Sequence, residues 1–219
     1  MKLFQSDSPW IRLIDNMGNL VLLNLMFLLC CLPVVTAPAA VTALYSCTLC
    51  MARREKLELS RFWQVWKREF VVSLKAGGLI FALAALLALD GYYLKLNPAA
   101  PAFLRYGLYV LAFFAGCLAL YLFPLIARFT NTIPQYVRLS LALALRYLPK
   151  TLLMMLAVCL PVLLFLWNAE LALRLMIFWL LFGIALTAFF NSGLLKGIFA
   201  VLEETAPSPE DAETQEREE

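Results

Sequence analysis

The chain has 219 residues, of which 63% are hydrophobic types, 15% are charged and none is histidine. A soluble domain is ~45–50% apolar with ~25% charge, so a water-soluble globule is excluded: it would lack the polar surface to cover itself. The formal charge of +3 divides unevenly, because residues 1–202 carry 17 basic and 7 acidic groups while Glu203–Glu219 carries eight acids against Arg217 alone.

Met17 to Ala52 runs for 36 residues without a formal charge. One helix of that length would be ~54 Å long, against a hydrocarbon core of ~30 Å. Pro33 and Pro38 interrupt it, which predicts a hairpin: a first span over 10–32, a break at 33–38 and a second piece over 39–52. The second piece is short, so it either crosses or is re-entrant. A rival reading is that Ala37-Pro38-Ala39 is a signal-peptidase site, but Asp7 and Asp15 balance Lys2 and Arg12 and leave no strongly basic leader.

Clearer spans follow at 76–94, 103–127, 151–167 and 171–195. Asn97-Pro98-Ala99-Ala100-Pro101 and Asn168-Ala169-Glu170 are tight breaks between them. Residues 203–219, with Pro207-Ser208-Pro209, have too few apolar groups to offset the entropy of ordering and are expected to be disordered. The fold expected is all-α: a polytopic transmembrane helix bundle in one domain, 1–202, with about six membrane segments, or five if the first hairpin crosses only once. Residues 53–75 carry seven basic groups and 128–150 carry four with no acid, so both connections are expected on the cytoplasmic side, with the C-terminus. Six crossings place both termini inside; with five, the N-terminus lies outside.

Each basic connection reads as an amphipathic helix. Leu59, Phe62, Trp63, Trp66, Phe70 and Leu74 recur at helical spacing and make one apolar stripe over 57–75. Such a helix either lies among lipid headgroups or docks in a partner's groove. In the second, Gln135, Arg138, Ala142, Arg146 and Lys150 form a thin edge on an otherwise apolar helix, and Thr130-Asn131-Thr132-Ile133-Pro134 suits a helix start. The order of apolar span, arginine (Arg53 or Arg128), polar break, basic helix and apolar span occurs twice, as a match of layout more than of letters.

The absence of histidine removes the usual general base and metal ligand, and no G-x-x-x-x-G-K-[ST] or G-x-G-x-x-G cradle occurs. Cys47-x-x-Cys50 is the one suggestive cysteine spacing; it lacks further ligands for zinc and a βαβ context for redox work. Asn24, Thr36, Thr42, Thr48 and Asn191 lie in or near spans, where such groups most often bond a neighbouring helix or their own backbone.

Ser8-Pro9, Asn24-Leu25, Leu29-Cys30-Cys31-Leu32-Pro33-Val34-Val35-Thr36 and Thr42-Ala43-Leu44-Tyr45 open an ordered series of matches. Phe62-Trp63 with Lys67 and Phe70, Pro124-Leu125-x-Ala127-Arg128-Phe129-x-Asn131, Leu148-Pro149-x-Thr151-Leu152 and Phe190-Asn191-Ser192 continue it. Over roughly 5–202 this resembles the YesL-like proteins, bacterial membrane proteins of uncharacterised function. Ala37-Pro38 stands where that family usually has Ile-Gly, and Glu69 where asparagine is frequent. The resemblance implies a multi-helix bundle in the bacterial cell membrane and an accessory role in oligosaccharide uptake, with the lipid bilayer and permease subunits of a carbohydrate ABC transporter as partners. It implies no catalytic residue, and no cofactor, metal or nucleic-acid partner is expected. The candidate partner or lipid contacts are Phe62, Trp63, Trp66, Lys67, Phe70, Arg128, Asn131, Arg138 and Arg146. The function expected is a non-enzymatic accessory or scaffold protein. The alternatives are a stand-alone permease, or an intramembrane enzyme using Asp15, Asp90 or Cys47 with Cys50.

Overall fold

A computed structural model describes residues 9–97 and 101–205. Its helices are α1 (Pro9–Cys31), α2 (Ala37–Ala52), α3 (Ser60–Arg68), α4 (Phe70–Leu96), α5 (Ala102–Arg128), α6 (Ile133–Arg146), α7 (Leu148–Trp167), α8 (Ala169–Phe178) and α9 (Ile184–Thr205). A 3-10 turn at Val34–Thr36 separates α1 from α2, and a π turn at Trp179–Gly183 joins α8 to α9. The break expected at 33–38 lies at 32–36, because α2 already begins at Ala37 and Pro38 sits in its first turn, where its missing N–H is no loss. Among the described residues, five helical segments are long and apolar enough to cross a membrane: Val34–Ala52, Phe70–Leu96, Ala102–Arg128, Leu148–Trp167 and Leu173–Glu204; the apolar part of α1, Met17–Cys31, is shorter. The protein is an all-α polytopic bundle.

The short second piece of the hairpin is the hub. α2 touches α1, α3, α4, α5 and α9, and every residue from Ala39 to Ala52 except Val41 is buried. Small side chains allow this: Ala39, Ala40 and Ala43 let neighbouring backbones approach, as in other membrane helix contacts. The polar members bond across helices, Thr42 to Ser73 and Thr48 to Ser192, both at 2.8 Å. The Asn191 amide also donates to the Tyr45 hydroxyl at 3.4 Å.

The core gathers at one end of the bundle. In α5 the buried stretch runs from Cys117 to Ala127, whereas 102–111 is mainly exposed. Phe81 and Leu89 of α4, Phe103 of α5, Leu166 of α7 and Ile177 of α8 are largely exposed. In water such a surface would be a liability, but against lipid tails it is the ordinary outside of a bundle.

Three expectations need correction. The amphipathic stretch 57–75 is not one helix: α3 ends at Arg68, Glu69 adopts a non-helical conformation and α4 starts at Phe70. Phe70 and Leu74 therefore belong to the span that follows. Likewise Lys150 belongs to α7, because Tyr147 breaks the chain between α6 and α7. The last helix continues to Thr205, past the boundary expected before Glu203, while the rest of that tail lies outside the described residues. The expected break at 97–101 is only partly within them.

Candidate functional site

α2 ends in a left-handed turn. The Glu55 N–H reaches back to the Cys50 carbonyl at 3.1 Å and the Arg54 N–H to the Met51 carbonyl at 3.0 Å. These are the two bonds of a Schellman closure, with Arg54 at φ 62°, the position glycine usually takes. The turn aims Arg53 back along α9. Arg53 donates to both Glu203 oxygens, at 3.2 and 2.8 Å, and Arg128, the last residue of α5, donates to Oε1 of the same carboxylate at 2.9 Å. The two arginines matched by layout in the sequence thus converge on one acid. Their convergence puts the two basic connections and the end of α9 at the same end of the bundle.

Arg61 of α3 adds a third guanidinium, with Nε donating to Ser46 at 3.2 Å. Ser46, Cys50, Arg53, Glu55, Arg61 and Arg128 line a cavity of about 10 Å³, the space of a single water molecule. Two guanidiniums on one carboxylate, Arg53 and Arg128 on Glu203, make an anion clamp that this chain fills from within. Because the ion pairs are partly open to solvent, each contributes little by itself. Glu203→Gln is expected to lower stability by about 1 kcal/mol, through lost bonds and the repulsion left between Arg53 and Arg128. Glu204→Gln should leave it unchanged. Unfolding in detergent at low and high salt checks this: a Glu203 effect that is absent at low salt would remove the clamp.

A second polar cluster joins the start of α4 to that of α6. The Thr132 N–H donates to Gln135 Oε1 at 2.9 Å in a capping box, and Pro134 sits in the first turn, as the sequence suggested. The Asn131 N–H donates to the Tyr136 hydroxyl, which in turn donates to the Phe129 carbonyl. Burial pushes the Tyr136 phenol up in pKa, and the Asn131 N–H pulls it partly back. Glu69, only 8% exposed, lies beside Tyr136 and Asn131 in an open cleft and takes a 2.7 Å ion pair from Arg68.

The candidate contact residues divide. Phe62 is fully buried with Val65, so the face of α3 turned toward α2 belongs to the core and not to lipid. Trp66 and Phe70 are half-buried, and their rings meet edge to face. Trp63, 43% exposed, and Lys67 remain outside. Arg128 holds Glu203, and Asn131 works through its backbone. Arg138 and Arg146 are exposed on α6, Arg146 with its guanidinium 5.9 Å from the Tyr147 ring centre. Asp90 is exposed beside Tyr93 and Phe103, far along α4 from the arginines. Cys47 and Cys50 are buried, and the Cys50 thiol donates to the Lys56 carbonyl at 3.5 Å. Asp15 lies in the part of α1 whose side chains are not described. Sequence reasoning missed Glu203, Arg61 and Tyr136. Only the doubled layout around Arg53 and Arg128 could have suggested that their charges needed a common partner.

No curated protein and no solved structure matches the chain. Residues 20–91, about a third of it, match the family described as "Protein of unknown function, DUF624", to which YesL-like proteins belong, so the stretch from the middle of α1 to near the end of α4 is similar to that family.

Proposed function

We propose that the protein is a non-enzymatic scaffold subunit of the bacterial cell membrane, with the arginine-rich end of the bundle and the C-terminus in the cytoplasm, working beside a carbohydrate ABC importer. The observation that carries the scaffold reading is the division of α3. Phe62 and Val65 fix the helix into the core, while Trp63 and Lys67, four residues on along the same face, stand outward. A helix anchored in the core and presenting one exposed aromatic ring beside a cation has the form of a docking surface. Positive charge at this end supports the cytoplasmic placement. The link to carbohydrate import rests on the sequence resemblance.

The test is purification from the native host in gentle detergent, with identification of bound subunits. Permease subunits of a carbohydrate importer should be recovered. Trp63→Leu keeps the face apolar and should reduce their recovery at least tenfold, ~1.4 kcal/mol, with insertion intact. Trp66 is a poor probe because its ring is part of the packing. Sugar flux through liposomes holding this chain alone would overturn the scaffold reading in favour of a permease.

A further inference from the structure

Beside the clamp, on the outer side of the α2 turn, lies a cleft of about 440 Å³ lined by Ala52, Arg53, Arg54, Lys196, Gly197 and Ala200. Its floor is made of small residues, so a ligand can approach the backbone. Lys196 Nζ donates to the Ala52 carbonyl at 3.5 Å, at the C-terminal end of α2. From α7, Lys150 Nζ stands 3.8 Å from the point where a Cβ on Gly197 would lie. Arg53, Arg54 and Lys196 thus line the cleft, and Lys150, whose ammonium also stands 5.4 Å from the Tyr147 ring centre, approaches it at Gly197. Glu203 is occupied by Arg53 and Arg128, and among the described residues no carboxylate pairs with Arg54, Lys150 or Lys196.

A second observation concerns Arg54. Its φ of 62° costs any side chain energy that glycine would not incur. Backbone strain of this kind persists at ligand clamps. The turn would be more stable with glycine, and what arginine adds is a cation at the rim of the cleft.

We infer that this cleft binds the phosphate headgroup of an anionic phospholipid, with Arg54, Lys196 and Lys150 as its ligands. The depth is right for that source: Ala52 ends one candidate span and Lys196 lies in the last two turns before Glu204 ends another, so the cleft opens where chains leave the hydrocarbon. Guanidinium and ammonium groups at that level meet lipid phosphates, and Arg adds planar, paired donors.

The experiment is native mass spectrometry of the full-length protein released from nanodiscs of phosphatidylcholine with phosphatidylglycerol. One phosphatidylglycerol should remain bound in preference to phosphatidylcholine. Arg54→Gln with Lys196→Gln should reduce its retention at least tenfold, whereas Arg138→Gln with Arg146→Gln, removing equal charge from α6, should not. Arg54→Gly separates binding from folding, since it should raise the melting temperature in neutral detergent while weakening lipid retention. Equal loss in both double variants, no preference over phosphatidylcholine, or full lipid retention by Arg54→Gly would overturn the inference. Displacement by millimolar inorganic phosphate would assign the cleft to free phosphate instead. Lipid binding only after the six acids of 210–219 are neutralised would assign it to the chain's own tail.

Discussion

Asn24→Leu is expected to destabilise the bundle by about 3 kcal/mol, although leucine has nearly the same size. The reason is the π turn at Trp179–Gly183, which interrupts the regular ladder between α8 and α9. Leu180 offers a carbonyl and Ala185 an N–H, and the Asn24 amide inserts between them. Its Nδ2 donates to Leu180 at 2.6 Å, and its Oδ1 accepts from Ala185 at 2.9 Å. Asn24 is fully buried, so leucine would leave two backbone groups without water or partner. Equilibrium unfolding in detergent measures the loss, and hydrogen exchange at the Ala185 amide locates it. A change below about 0.5 kcal/mol, with Ala185 still protected, would show that the π turn satisfies itself.

Adjacent glycines in α4 should respond in opposite directions. A Cβ on Gly77 would lie 2.3 Å from Cγ of Pro38, a ring that cannot rotate away, whereas Gly78 has nothing within 4 Å. Gly77→Ala should therefore cost about 1–3 kcal/mol by forcing α4 off α2. Gly78→Ala should gain up to about 1 kcal/mol, because alanine loses less conformational entropy in a helix. Pro38→Gly in the Gly77→Ala background should restore much of the loss, and melting temperatures of the four variants complete the cycle. Equal effects at 77 and 78 would mean that α2 and α4 do not touch there. The contact also bears on the place where Ala37-Pro38 replaces the Ile-Gly usual in the resembling family. The proline ring stands against a glycine of the next helix, which has no side chain to obstruct it.

The membrane class, the helical spans and the break between α1 and α2 were legible in the letters, because hydrophobic length and proline act locally and need no neighbour to be read. The start of α6 was legible for the same reason: Thr132, Pro134 and Gln135 carry their roles within one turn. Helix continuity was not. Whether the stretch around Glu69 breaks depends on α3 packing against α2 through Phe62 and Val65 while α4 follows its own direction, and periodicity alone cannot see that choice. Burial of α2 was equally hidden, since a 16-residue apolar helix reads the same whether it faces lipid or five neighbours. The polar groups show the difference most sharply. Asn24, Arg53, Arg128 and Glu203 were visible as residues, but a hydrogen bond between positions 156 or 150 apart exists only once the chain has folded back. Sequence determined what each segment could be; tertiary contact decided which charge meets which, because that is set by distances in space that the chain's own spacing does not contain.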